Sequence, residues 1–235
     1  MRHLWILVLL GLRFQSEAVM VRESEEALTL QFPGQVVFFA EDWTLRCGAA
    51  ELRARRAEGS PRPEVLICRE GVQLDGKEVQ GRAARVVLAF AEERWAWEGQ
   101  VRVQFRGYRL EATRLSFQGR AWNAEQARLR MREGEVRALR IVGRDEGFLA
   151  EGDIRASFRG MTVRARRMEA KPETWTLEEV EVQWPARAWR TSAERLLLNR
   201  KTGEVEIHGR LRMEIGQKAM AAGTGGTEAP REGMG

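Results

Sequence analysis

Apolar and polar residues alternate along most of this chain with a period of two. Val101-Arg-Val103-Gln-Phe105, Leu129-Arg-Met131, Val180-Glu-Val182-Gln-Trp184, Val205-Glu-Ile207 and Leu211-Arg-Met213-Glu-Ile215 each alternate without a break. Successive side chains of a strand point to opposite faces, so each segment has one apolar and one charged face. That pattern predicts antiparallel strands covering a single core, with Arg and Glu on the wet side. Ala121 to Arg130 has the propensity of a short helix, but the alternation in its flanks assigns it to a strand. Glycines punctuate the runs, and Arg106-Gly107 and Arg159-Gly160 read as two-residue hairpin turns. Pro61 and Pro63, Lys171-Pro172 and Pro185 mark loops.

The chain repeats itself. Residues 99–115, GQVRVQFRGYRLEATRL, align without gaps on residues 152–168, GDIRASFRGMTVRARRM. The shared form is a glycine, an apolar strand, an Arg-Gly turn and a second strand ending in Ala-x-x-apolar. Fainter copies of the Ala-x-x-apolar ending begin at Ala49, Ala83 and Ala193. A small Ala there lets a neighbouring strand or a bound chain come close. Self-similarity of this kind names repeat architectures. Evenly stacked coils would give a β-solenoid or envelope scaffold without cargo. The uneven spacing of the Ala sites favours hairpins of variable length instead.

The ends differ from the body. Met1-Arg-His3 is followed by the apolar run Leu4 to Leu12, stopped by Arg13, with Ser16 and Ala18 placed for cleavage after Ala18. About 20 apolar residues are needed to span a bilayer, so residues 1–18 read as an export signal, with an uncleaved inner-membrane anchor or a first core strand as the other readings. Alternation covers residues 19–216, and 217–235, rich in Gly, Ala, Thr and Glu, read as a disordered tail. Export into an oxidising compartment permits a bridge between Cys47 and Cys68; two buried free thiols fit the sequence equally well.

Charge and chemistry narrow the function. The formal net charge is +5, and Lys occurs only at positions 77, 171, 201 and 218, so the cations are almost all Arg. An excess of this sign suits anionic partners. The two histidines are His3 and His208. One His in the mature chain cannot build a nucleophile–base set, and phosphate-loop, dinucleotide and metalloprotease motifs are absent. The sequence therefore predicts no enzyme, no metal and no cofactor. Interspersed acids and the export signal argue against nucleic acid.

The pattern Gly-x-Val-x-Val followed by Gly-x-x-Leu-x-Ala-x-x-Leu, best in residues 99–115 and next in 152–168, resembles the repeat of the OstA-like family of lipopolysaccharide-transport proteins, which has LptA and LptC branches. A looser likeness extends over residues 28–215. The resemblance implies a periplasmic, antiparallel half-open β-jellyroll, a slotted sandwich built from repeated hairpins. It implies lipopolysaccharide or a similar glycolipid as cargo, and edge-to-edge association with other jellyroll proteins or with copies of itself. A greasy channel holds acyl chains by burial of apolar area alone. Phe105, Tyr108, Leu110, Phe117, Trp122, Phe158 and Val163 are the candidate lipid-lining residues, and Arg102, Arg106, Arg109, Arg155 and Arg159 the candidate phosphate contacts. The amphipathic rings of Trp43, Trp95, Trp97, Trp122, Trp175, Trp184 and Trp189 suit the mouth of a lipid slot, and equally suit strand packing. The high Arg content, the tail and the short N-terminal run depart from the family pattern.

Overall fold

A computed structural model of the chain describes residues 13–57, 60–105, 107–144, 146–158 and 160–215. The apolar run and the tail, residues 1–12 and 217–235, lie outside them, as do Arg106 and Arg159. The strands are β1 (Arg13–Ser16), β2 (Met20–Glu23), β3 (Ala27–Phe32), β4 (Val36–Phe39), β5 (Trp43–Cys47), β6 (Ala49–Ala57), β7 (Ser60–Gly76), β8 (Val79–Ala89), β9 (Arg94–Phe105) and β10 (Tyr108–Gln118). They continue with β11 (Ala121–Met131), β12 (Gly134–Arg144), β13 (Gly147–Phe158), β14 (Met161–Ala170), β15 (Thr174–Trp184), β16 (Trp189–Asn199), β17 (Val205–His208) and β18 (Arg212–Ile215). A single 3-10 turn, Pro185–Arg187, joins β15 to β16. Among the described residues no helix is long and apolar enough to cross a membrane.

All eighteen strands belong to one antiparallel sheet. From β7 to β16 each strand pairs with its sequence neighbour. The sheet is thus a meander of hairpins, whereas the coils of a β-solenoid pair in parallel. Among the described residues no ladder joins β1 or β2 to β17 or β18, so the sheet is not closed.

The strands are bent in the middle, and the bend is written in the sequence. Along β10 the alternation slips at Ala112-Thr-Arg-Leu115, where two successive residues face out between two buried ones. The same slip occurs at Ala124 to Ala127 in β11, Ala138 to Ile141 in β12, Ala165 to Met168 in β14, Leu177 to Val180 in β15 and Ala193 to Leu196 in β16. Ladder register shifts coincide with it between β7 and β8, β8 and β9, β9 and β10, β12 and β13, and β13 and β14. An extra residue on one strand bends that strand and sharpens its twist, which is a β-bulge. On every second long strand a residue of positive φ stands at this step: Glu70, Gln100, Gln126, Asp153 and Glu179. The Ala-x-x-apolar ending of the repeat marks the strand opposite a bulge, since the extra residue lies on β9 against Ala112 and on β13 against Ala165. Its alanine is small because it lies inside the bend.

Aligned bulges fold the sheet along one line into two leaves. The first leaf holds β1, β4, β5, β18 and the halves of the long strands that meet at the turns after β9, β11, β13 and β15. The second holds β2, β3, β6, β17 and the other halves. Side chains at the far rims show the closure. Phe105 and Trp122 lie on opposite leaves, and along β10 their register partners Tyr108 and Phe117 are nine residues apart. A straight strand would hold them about 30 Å apart; their rings meet at 5.6 Å, edge to face. One apolar core fills the space between the leaves, from Leu30, Phe38 and Leu52 at one end to Leu177, Val182 and Leu196 at the other.

Cys47 and Cys68 are buried on β5 and β7 as free thiols. The hydrogen bond between them, then burial, pushes the Cys68 thiol up; the same bond lowers that of Cys47 against the effect of burial.

The wet faces carry ion pairs, most densely around Glu135 on β12. Its carboxylate meets Arg128 at 2.7 Å, Arg137 at 2.7 Å and Arg130 at 3.2 Å. Burial alone would raise its pKa, but the hydrogen bonds from Arg128 and Arg137 outweigh this and bring it down to about 2. A carboxylate lowered by folding stabilises above its unfolded pKa and loses that contribution as pH falls through the folded value. The Glu135→Gln variant should thus lose urea resistance at pH 6 and differ little from the parent at pH 2, as read from denaturation midpoints at the two pH values.

Candidate functional site

Among the described residues, two cavities of more than 200 Å³ between the leaves bear on function. The first, about 240 Å³, sits at the rim in the middle of the meander. Phe105 and Tyr108 reach it from the first leaf, Phe117 and Trp122 from the second, with Leu129 and Phe148 behind them. Local sequence explains the convergence. Phe105 and Tyr108 flank the turn at Gly107, and Phe117 and Trp122 flank the turn at Gly119 and Arg120, so two hairpin ends deliver four rings to one place. Phe105 meets Tyr108 at 5.9 Å, Phe117 at 6.2 Å and Trp122 at 5.6 Å. Trp122 lies across Gly143, its partner on β12. A Cβ at Gly143 would stand 1.9 Å from the indole. Arg120, Arg144 and Glu146 border this cavity on the solvent side.

The second cavity, about 230 Å³, lies toward the last strands. Phe158, Met161, Val163, Val182, Trp184 and Trp189 line it from the first leaf, and Leu177, Leu196, Leu198 and Val205 from the second. Every one of these side chains is apolar or aromatic. Trp184 and Trp189 flank the 3-10 turn and meet at 6.2 Å. Val205 is exposed, so the cavity reaches solvent beside β17.

Rim aromatics also bridge the leaves elsewhere, Trp43 to Trp95 at 5.8 Å and Phe158 to Trp175 at 5.0 Å. The guanidinium of Arg200 stands 5.3 Å from the centre of the Trp175 ring.

The residues proposed from sequence thus divide. Phe105, Tyr108, Phe117 and Trp122 share the first cavity, and Phe158 and Val163 the second. Leu110 lies in the core and lines neither. Arg102, Arg109 and Arg155 project from the outer face of the first leaf, away from both cavities. Met161, Leu177, Leu196 and Leu198 were absent from the sequence-based set. Their signal is the apolar phase of β14 to β16, which marks them as interior without telling a cavity wall from close packing. Among the described residues no three metal-ligating side chains gather.

The fold and interior define an all-β protein of one half-open antiparallel sheet, bent into two leaves around apolar space. No protein-family model matches the chain. No curated protein matches it either. Among solved structures it is similar to LptH of Pseudomonas aeruginosa, described as the LptA homologous periplasmic component of the conserved lipopolysaccharide transport device. The identity is 12%, the match covers 46% of this chain and 75% of that one, and the TM-score is 0.37.

Proposed function

We propose that this chain is an exported lipid carrier of the cell envelope. It holds the acyl chains of lipopolysaccharide or a similar glycolipid between its leaves and hands them to a neighbour of like fold. The wholly apolar cavity between β14–β16 and β17 carries this reading. Acyl chains need apolar walls and no directional partners, and each Å² removed from water contributes roughly 25 cal/mol. A cavity with a mouth beside β17 admits a chain end while the headgroup stays in water. The rim cavity, with Phe105, Tyr108, Phe117 and Trp122 inside and Glu78, Arg120, Arg144 and Glu146 at its border, offers a second, aromatic station with a charged edge. Val163 and Phe158 belong to the wholly apolar cavity, and Leu110 supports the core.

Hand-over needs a neighbour. The terminal strands offer unpaired edges, with exposed Val19, Met20 and Val21 at one end and Val205, Leu211 and Met213 at the other. Unpaired edges are templates for another strand, so other jellyroll proteins or a second copy are the partners in this reading. Export rests on the N-terminal apolar run. A cut after Ala18 would remove β1 and leave β4 as an edge.

Native mass spectrometry of protein purified from its own cell envelope should show a glycolipid adduct, and a photo-crosslinking residue at Met161 should label its acyl chain. Protein free of any lipid mass, with crosslinkers at Met161 and Phe105 both silent, would remove the carrier reading.

A further inference from the structure

The outer faces of the two leaves differ in a way that core packing does not require. On the second leaf, the rung of cross-strand partners next to the bend runs Arg85, Glu98, Arg114, Glu125, Arg140, Glu151, Arg167, Glu178, Arg195. From β8 to β16 charge alternates at every step, so each Arg between these two strands faces a carboxylate on each of its neighbours; the rung ends on Arg69 beside Arg85 and on His208 beside Arg195. Opposite charges across a ladder stabilise a sheet, and like charges directly opposite destabilise it.

The rung at the matching place on the first leaf breaks that rule. It runs Arg46, Gln73, Arg82, Arg102, Glu111, Arg128, Arg137, Arg155, Arg164, Glu181, Ser192, Arg212. Eight arginines stand against two glutamates. Arg82 faces Arg102, and Arg128, Arg137, Arg155 and Arg164 follow on four successive strands. Some have local partners: Arg46 pairs with Asp75 at 3.0 Å, Arg128 and Arg137 share Glu135, and Arg155 meets Asp153 at 3.2 Å. Among the described residues no carboxylate stands within 4.0 Å of Arg82, Arg102 or Arg164.

The next rung outward is rich in uncharged hydrogen-bonding groups: Thr44, Gln80, Gln104, Ser157, Thr162 and Gln183, with Asp75, Arg109, Arg130, Glu135, Arg190 and Glu214 between them. From β5 to β18 neither rung exposes a large apolar or aromatic side chain.

We infer that this face binds an acidic glycan, a linear chain bearing carboxylate or phosphate groups, laid across the strands along the arginine rung. Six strand spacings separate Arg82 from Arg164, which makes a cationic row about 29 Å long. Guanidinium groups pair bidentately with carboxylate and phosphate. The row of Gln, Ser and Thr beside them suits sugar hydroxyls. A membrane surface would call for apolar side chains to insert, and single-stranded nucleic acid for aromatic stacking platforms; this face has neither. A glycan brings the counter-charge that the sheet lacks. The inference uses the outer face and is independent of the cavities.

The test compares two variants of equal charge change on delipidated full-length protein. One carries Arg82→Gln, Arg102→Gln, Arg155→Gln and Arg164→Gln on the first leaf; the other carries Arg114→Gln, Arg140→Gln, Arg167→Gln and Arg195→Gln on the second. Binding of an oligogalacturonate is measured by calorimetry at low and moderate salt, with neutral dextran, single-stranded DNA and phosphatidylglycerol vesicles as comparison ligands. The parent should bind the oligogalacturonate and not dextran. The first-leaf variant should lose at least tenfold in affinity, with a melting temperature equal to or above the parent's, because like-charge contacts are relieved. The second-leaf variant should bind within twofold of the parent. Equal losses in both variants would reduce the effect to net charge and overturn the proposal, as would tighter binding of DNA or vesicles than of the glycan. Should the fourfold variant fail to fold, the single changes Arg102→Gln and Arg164→Gln serve, each expected to weaken binding about threefold; no loss in either overturns the proposal.

Discussion

Trp175→Ala should lower the unfolding free energy by about 3–5 kcal/mol, in the range for removing a large aromatic from a core. Trp175 is 2% exposed. Its ring meets Phe158 edge to face across the leaves, and the guanidinium of Arg200 lies over its face. Such contacts add to the area term. Beside it is a void of about 10 Å³ walled by Glu133, Phe158, Trp175, Leu198 and Arg200. Phe158 and Leu198 also wall the large apolar cavity. Deleting the indole should therefore join the two spaces. Denaturant unfolding reads the first effect. Uptake of a fluorescent fatty-acid analogue reads the second: the variant should take up more probe per folded molecule than the parent, and Trp175→Phe should behave like the parent. An unfolding midpoint unchanged in the Ala variant would show that the leaves do not depend on this bridge.

Gly143→Val should cost about 1–3 kcal/mol, the usual penalty for overpacking a filled site, and should disable the rim cavity. Gly143 is buried opposite Trp122, and the indole occupies the place where a side chain would be. Valine must push the ring off β12, either into the cavity or out to solvent. Both outcomes break its 5.6 Å contact with Phe105. The measurement is crosslinking of a bound lipid probe from position 105, expected to fall severalfold in Gly143→Val, while crosslinking from Met161 in the other cavity stays at the parent level. Loss at both positions would point to global unfolding, which the melting temperature distinguishes.

The period of two places most of the strands, because one-sided burial forces alternation; Pro61 and Pro63, read as a loop, instead pair with β6 inside β7. The hairpin turns at Gly107 and Gly160 were legible for the same reason, each separating two apolar runs in phase. The bend was visible but misread. Ala112-Thr-Arg-Leu115 and Ala165-Arg-Arg-Met168 were recognised as a repeat, and the small Ala was assigned to close approach. The decisive sign is the doubled polar step, which shifts the phase of burial at the bend. The gathering of Phe105, Tyr108, Phe117 and Trp122 in one cavity followed from hairpin ends close in sequence. The second cavity was not legible, because Phe158, Leu177 and Leu198 meet through the folding of one leaf over the other. Interior phase alone does not show where packing leaves a gap. The contrast between the two charged rungs needed the strand register, which depends on where each bulge falls.

Pairing between sequence neighbours has a consequence for how such a molecule can change in size. Because each hairpin of the meander pairs through its backbone with the one before it and the one after, the cross-section of the bent sheet is set by strand length and bulge position, while its long dimension is set by the number of hairpins. Duplicating one hairpin would lengthen the interior by about 10 Å at two strand spacings and leave the bend in place. Growth by internal duplication therefore extends the trough without redesigning its walls, and the near-identical spacing of residues 99–115 and 152–168 has the form that such growth would leave behind.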